Sequence, residues 1–472
     1  MDEHRTRVRH ARQGLALELP PLVRLAGPVV ATELSWTTMG LISTIMVGHV
    51  SAEAIGAVSL GNALFFAVAI FGLGMLLGLD YTVAHSFGAG RLGDSHRALL
   101  HGIYLSCALA VILTTILRLG IPLLDDLGID PTVLALGEPY LRAITWSLLP
   151  LLLSAALRRY LQALGKVRPV MFAAVSADLV AVVTCWALVF GRLGAPALGA
   201  EGAGWAICVS RFYVVLSLGA YLLLDERWHP TGLARMSLAI DRSRLDKLIR
   251  LGLPSALQTS FEVGVFAVAT TLAARVGARP LAAHQVALSL AGFTFMVPLG
   301  ISSAAAVRVG QALGRGDPAG ARRAGWTALL LGAAFMACAA VVFLSVPRTI
   351  ASAFTTDPSV VAISVSLLAV AALFQMFDGV QVVATGVLRG TGDTRTAMLA
   401  NLLCHWAIGL PLGYGLCFAW RRGVVGLWLG LSLGLIMVAL TLLAAWSRRI
   451  DRLTADHASH RPAPASHLAA SA

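Results

Sequence analysis

Twelve apolar runs divide this 472-residue chain, each close to the ~20 residues a helix needs to cross a bilayer. They fall at 22–46, 56–80, 99–121, 134–157, 169–190, 202–224, 251–273, 282–307, 324–346, 359–385, 397–420 and 424–446. Unpaired backbone groups in hydrocarbon are so costly that a spanning segment must close its hydrogen bonds within a helix or a shut barrel. These runs are too long, and too apolar on all sides, for barrel strands. The expected fold is therefore an all-α integral membrane protein with twelve transmembrane helices. Composition agrees, since only 13% of the residues are charged, against about 25% in soluble domains.

The net charge of +12 raises the question of a nucleic-acid partner. Its distribution answers it. With the N-terminus in the cytoplasm, most Lys and Arg residues fall in the tails and in the loops on the same side. Only Arg118, Arg142, Arg192, Arg275, Arg279, Arg348, Arg421 and Arg422 fall opposite, and Arg211 lies inside a run. That bias places both termini in the cytoplasm and turns basic segments toward anionic membrane lipids. It is a topology signal, and no nucleic acid is expected. The N-terminal stretch carries Arg5, Arg7, Arg9 and Arg12 without a short apolar core and small-residue cleavage site behind it, so the first helix is expected to be retained. Cys107, Cys185, Cys208, Cys338, Cys404 and Cys417 all lie in runs, without metal-ligand spacing. Neither disulfides nor a metal or cofactor are expected.

The chain also repeats itself. LVRLAGP at 22–28 matches LIRLGLP at 248–254, YLQALGKVRP at 160–169 matches VLRGTGDTRT at 387–396, and GAEGAGW at 199–205 pairs loosely with GVVGLW at 423–428. Six runs fall in each half. Six is even, so both halves enter from one side, related by a pseudo-two-fold axis along the membrane normal. The expected organisation is a six-helix lobe at 1–224, a charged cytoplasmic linker at 225–247, a second six-helix lobe at 248–450 and a flexible tail at 451–472.

Five acids interrupt the apolar runs: Glu33, Asp80, Asp178, Glu262 and Asp378. Each costs about 2.5–3.5 kcal/mol at mid-membrane on insertion scales, and such residues by default mark an ion or substrate pathway. Glu262 has Phe261, Val263 and Phe266 beside it. A carboxyl group desolvated there can exchange a proton for an organic cation, which gives antiport without covalent chemistry. Asp378 has Gln375 three residues before it and Gln381 three residues after, on one helical face. Glu33 sits among Thr32, Ser35 and Thr37. Asp80 lies nearer a cytoplasmic end and reads as a structural or gating residue, open to pairing with Arg or Lys from a neighbouring loop. Gln285 beside His284 is a candidate cavity residue. His405 reads as a core ring bonded to a neighbour. Pro28 and Pro254 occupy matching repeat positions, where a missing helical donor can permit a gating bend. HExxH, a catalytic triad and a phosphate-binding loop are all missing from the sequence, so no enzyme is expected.

Longer motifs are more specific: SFEVGVFAVATTLAARVG around Glu262, AAHQVALSLAGFTFMVPLGISSAAAVRVGQALGRGD at 282–317, FQMFDGVQVVATGVLRGTGDTR at 374–395 and HWAIGLPLGY at 405–414. TIMVGHVSAEAIGAVSLGNALFF and GLGMLLGLDYTVAHSFGAGR agree in the first half. Across nearly the whole chain outside the tails, the sequence resembles the multidrug and toxic compound extrusion family in its NorM-like branch. The resemblance implies a twelve-helix, two-lobe secondary antiporter of a bacterial inner membrane, exporting organic, mainly cationic or amphipathic compounds by alternating access in exchange for protons or sodium, and working as a monomer. It implies that Glu262 and Asp378 couple the cation and bind substrate. Asp178 falls where some members carry an Asn or Asp cluster. The first-helix Asp of the family is Ser43 here, which cannot carry a titratable proton, so Glu33 is the candidate to replace it. Phe374 stands where some members show Tyr.

Loss of those two oxygen-bearing groups favours protons over sodium as the coupling ion. The expected substrate surface is apolar and adaptable, drawing on Phe65, Phe66, Phe261, Phe293, Phe295, Met296 and Phe374, since aromatic faces attract organic cations and methionine fits varied shapes. Two other classes remain to be weighed. A lipid-linked precursor flippase calls for a basic cavity, whereas the deep groups here are acidic and only Arg211 clearly lies in a run. An intramembrane enzyme or sensor calls for a catalytic constellation or a soluble domain.

Overall fold

The computed structural model describes residues 2–127 and 130–459 and is helical almost throughout. In chain order the helices are α1 (Asp2–Gly48), α2 (Ala52–Leu76), α3 (Gly78–Gly88), α4 (Leu92–Gly120), α5 (Pro131–Thr145), α6 (Leu148–Ala163), α7 (Val167–Phe190), α8 (Gly199–Trp228), α9 (Arg242–Val276), α10 (Ala278–Gly314), α11 (Pro318–Ser345), α12 (Pro347–Ser352), α13 (Pro358–Gly390), α14 (Arg395–Asn401), α15 (Leu410–Tyr414) and α16 (Gly423–Ser459). Wider, π-type turns at Leu402–Gly409 and Gly415–Ala419 flank α15.

Local chemistry sets the starts. Three Asp-Pro pairs open helices: Asp130, Asp317 and Asp357 each accept a backbone N–H of the first turn, and the following proline has no donor to lose there. Ser51 caps α2 in the same way. At the other end of α7, Gly191 takes a left-handed φ of 67° that releases the chain.

Among the described residues, ten helices are long and apolar enough to cross a membrane, and α5 with α6, bent by 43° at their junction, makes an eleventh. These account for every expected run except 22–46. That run is helical inside α1 but is diluted by Thr32, Glu33, Ser35, Trp36, Thr37 and Thr38. The molecule is thus a multi-pass, all-α membrane protein. The tail expected from Asp451 begins as the last turns of α16, to Ser459, and 460–472 lie outside the described residues. In the linker, α8 runs on to Trp228 and α9 starts at Arg242. The stretch between them lies on α4: His96 Nε2 meets the Thr231 carbonyl at 3.2 Å, Tyr104 donates to the Leu238 carbonyl, and His101 Nε2 accepts the Asp241 N–H at 2.9 Å.

Helices from the two sequence halves pack closely, α1 on α10, α2 on α9 and α3 on α10. Glycine permits the approach. A Cβ on Gly252 would meet the Met75 carbonyl, and one on Gly314 would meet that of His85. The bundle end where α3 and α10 terminate is tied further by Arg308, which donates twice to Glu18 Oε1 at 2.8 and 2.6 Å. Gln311 adds a bond to the Ala163 carbonyl. The linker lies at this same end, since α4 starts four residues after α3 stops.

Candidate functional site

A cavity of about 440 Å³ opens between helices of the two halves, with walls from α1, α2, α6–α10, α13 and α16. Four of the five expected acids line it: Glu33, Asp178, Glu262 and Asp378. They lie far apart in sequence, and the crossings of α1 on α7 and α10, and of α10 on α13, bring them to one space.

On the side of the second half, Glu262 projects from α9. Gln258, one turn earlier, donates to its Oε2 at 2.7 Å, and Gln381 of α13 approaches Oε1 at 3.4 Å. Glu262 is near enough for its charge to act on Asp378. Phe374 and Trp428 stand beside them, ring centroids 5.8 Å apart, and the indole N–H donates to His284 Nδ1 at 2.9 Å. Phe66, Phe295 and Met296 also line the cavity.

The other side is differently built. Glu33 is ion-paired with Arg158 at 3.0 Å. Asp178 accepts from the Ser35 hydroxyl, and its Oδ1 is buried without a partner. Arg211 lies 5.4 Å from the Trp36 ring centroid and 4.7 Å from that of Phe65.

Several expected residues lie elsewhere. Asp80 is buried outside the cavity wall between two guanidinium groups, 3.2 Å from Arg159 Nη1 and 3.0 Å from Arg389 Nε. The Arg389 contact is off the hydrogen-bonding angle and so acts by charge. Both partners come from helices, α6 and α13, rather than from loops, and Arg159 also donates to Ser303. Ser43 is buried against Cys185, outside the lining. Gln285 is exposed and Phe261 meets Trp406, so neither lines the cavity. The helical period instead turns His284 inward, to Thr270 and Trp428. Gln375 bonds Thr294 and Gln381 bonds Glu262, so these amides tie helices together rather than line the cavity. Phe65 lines a separate space of about 350 Å³ next to Arg211. Phe293 is 60% exposed. His405 bonds Asn401, as a core ring would. Pro28 and Pro254 sit inside uninterrupted helices.

The sequence reading missed Arg158, Arg159 and Arg389. They sit at the ends of apolar runs, and all three line the cavity with Arg211. Arg211 is therefore not the one arginine at that depth. Gln258 was findable, being four residues before Glu262 and so on the same face. Trp36, three residues after Glu33, carried the same signal. Among the described residues no group of three or more His, Cys, Asp or Glu is arranged to hold a metal.

A polyhelical membrane body around one mixed polar and aromatic cavity defines a transporter. The MatE family model matches twice, at residues 28–187 and 254–415. The probable multidrug resistance protein NorM of Mesorhizobium japonicum is 36% identical over 446 residues, covering 92% of this chain and 95% of that one. The protein of the same name from Pseudomonas putida is 36% identical over 449 residues, covering 92% and 96%. Among solved structures, the eukaryotic MATE transporter AtDTX14 superposes with a TM-score of 0.83 at 23% identity, covering 94% of this chain and all of that one. A MATE in the bent conformation gives 0.85 at 20% identity, covering 94% and 99%. The chain belongs to the multidrug and toxic compound extrusion family, in its NorM-like branch. It is a secondary transporter of organic compounds working by alternating access, not an enzyme.

Proposed function

We propose that this protein exports organic, mainly cationic or amphipathic compounds across a bacterial inner membrane in exchange for protons, with Glu262 and Asp378 as the groups that load them. One observation carries this reading: both carboxyl groups line the same cavity as Phe374, Trp428 and Met296. A proton and an organic cation then compete for one acidic, aromatic-walled place. Protons suit the site better than sodium, because Phe374, beside Asp378 in the cavity, stands where some members of the family show a Tyr oxygen, whereas sodium needs oxygen ligands. The relatives' names, multidrug resistance proteins, agree with a mixed apolar lining.

The working arrangement is twelve spans in two six-helix lobes, 1–224 and 248–450, acting as a monomer in lipid. The double family match starts at Pro28 and again at Pro254. Left-handed turn glycines recur with it, Gly90 with Gly316 and Gly165 with Gly392. Both termini lie in the cytoplasm, on the side of the linker. The tight end of α3 and α10, with the Asp80 cluster, is then the cytoplasmic seal, and Pro28 and Pro254 give α1 and α9 room to bend when it opens. Asp178, bound to Ser35, rather than Ser43, is the acid of the first lobe assigned to coupling, because it has no cationic partner whereas Glu33 is paired with Arg158.

The test is uptake of tetraphenylphosphonium into vesicles of reconstituted protein under an imposed pH gradient, with and without sodium. Gradient-driven uptake independent of sodium is expected; uptake that follows a sodium gradient and ignores pH would overturn proton coupling.

A further inference from the structure

Of the four cavity arginines, three are ion-paired: Arg158 with Glu33, and Arg159 and Arg389 with Asp80. Arg211 differs. It is 8% exposed, on α8, and among the described residues no carboxylate pairs with it. Nη1 donates to the Ser147 hydroxyl, while Nε is buried without a partner. Its guanidinium carbon lies over the rings of both Trp36 and Phe65. Aromatic faces compensate a cation only in part, and a buried charge lacking its counter-charge is costly to retain. Arginine is the side chain suited to gripping a planar carboxylate through two parallel N–H groups.

Position gives this charge a use. Arg211 lines the main cavity and also the smaller one of about 350 Å³, which shares Trp36 with it. Thr44, Ser59 and Asn62 line that smaller space and offer further polar groups. Glu262 and Asp378 stand on helices of the other half, around the same main cavity. Besides Asp178, the cavity thus carries an acidic aromatic wall from the second half and, among the described residues lining it, one cation from the first half without a carboxylate partner.

We propose that Arg211 is an anion subsite, taking the carboxylate of a substrate whose cationic group lies at Glu262 and Asp378. The preferred cargo is therefore a zwitterionic organic molecule rather than a simple cation. This deepens the proposed function and rests on it. When the two acids carry protons, Arg211 still holds the anionic end, so affinity for such a substrate falls less than that for a plain cation.

The test uses a matched pair of fluorescent xanthylium dyes, one with a free carboxylate and the other its methyl ester. Binding to full-length protein in detergent is measured for the unaltered chain, Arg211→Gln and Arg211→Lys. Arg211→Gln is expected to weaken the carboxylate dye about tenfold or more relative to the ester, the scale of a hydrogen bond to a charged group, with partial recovery in Arg211→Lys. Equal weakening of both dyes, or of neither, overturns the subsite and marks Arg211 as a packing residue. If Arg211→Gln does not fold, the unaltered protein decides: benzoate should displace the carboxylate dye and leave the ester bound, and any other pattern overturns the proposal. Failure of the ester to bind the unaltered protein at all would instead sink the cationic cavity reading.

Discussion

Arg158 Nη1 lies 3.0 Å from Glu33 Oε1, with both side chains largely buried at the wall of the cavity. The contact joins α6 to α1 and gives Glu33 a cationic partner that Glu262 lacks. Breaking a buried pair on one side strands the other charge, which typically costs about 3–5 kcal/mol. Glu33→Gln should therefore lower thermal stability in detergent by an amount in that range. Glu33→Gln combined with Arg158→Leu should recover much of it. A double-mutant cycle on melting temperature checks this, and additive losses would show that the pair contributes nothing.

Glu262→Gln should insert and fold, because an amide can still bond Gln258 and Gln381. It cannot titrate. Transport driven by a pH gradient in vesicles should fall to the level of empty liposomes. Retained gradient-driven transport would remove Glu262 from the coupling step. If Asp178→Asn abolished transport while Glu262→Gln did not, the coupling acid would lie in the first half of the chain.

Phe374 presents its ring to the same space as Asp378, next to Trp428. Phe374→Leu keeps an apolar side chain there and removes the π face. Cation–π contacts are worth about 0.5–2 kcal/mol, so the dissociation constant for tetraphenylphosphonium should rise roughly 2- to 30-fold. Equilibrium binding by tryptophan quenching reads this directly, and an unchanged constant would put the cation elsewhere.

Asp80 holds together Arg159 of the first half and Arg389 of the second, with Ser303 of α10 joined to Arg159. Asp80→Asn removes the anion that Arg159 and Arg389 share and leaves two cations side by side. The tight end of α3 and α10 should open more often. A cysteine at Ser303, in a chain without its native cysteines, should then react faster with an impermeant thiol reagent applied from the cytoplasmic side. Unchanged labelling would make Asp80 a passive core ion.

Outside the spans, Asp241 caps α9. The bond from the backbone N–H of Arg244 does most to hold its carboxyl below the ordinary carboxylate range, against the opposing effect of burial and with smaller help from the N–H of Ser243. A lowered folded value means stabilisation that is complete above the unfolded value, about 3.9, and disappears as pH falls through the folded one. Asp241→Ala should therefore melt below the unaltered protein at pH 7, with the gap closing in strong acid. A gap independent of pH would assign the effect to something other than the cap.

Much of the fold was readable because membrane burial constrains sequence so tightly. The apolar runs, the Asp-Pro starts and the acids at mid-run each report on one helix, and one helix is what a local sequence describes. The pairing state of those acids was not readable. Glu33 and Glu262 look alike in sequence: each is a carboxylate in an apolar stretch with polar neighbours. One meets Arg158 and the other meets two amides. Arg158 lies 125 residues from Glu33, and nothing local announces the contact. Gln285 fails for a related reason, since helical phase decides whether a residue at a run's edge faces inward, and His284 took that direction.

By itself, then, the sequence determined that the chain must be a bundle of membrane helices, that it is built on a repeat, and which acids it keeps at a cost. Burial in lipid dictates those features residue by residue. Only the tertiary structure decided that four of the acids share one cavity, that Asp80 is locked outside it, that Glu33 has an arginine partner and that Arg211, among the described residues, has no carboxylate one. Those are distances between helices remote in sequence, and a charge's behaviour in a low-dielectric interior depends on what lies within a few ångströms of it, not on its neighbours along the chain.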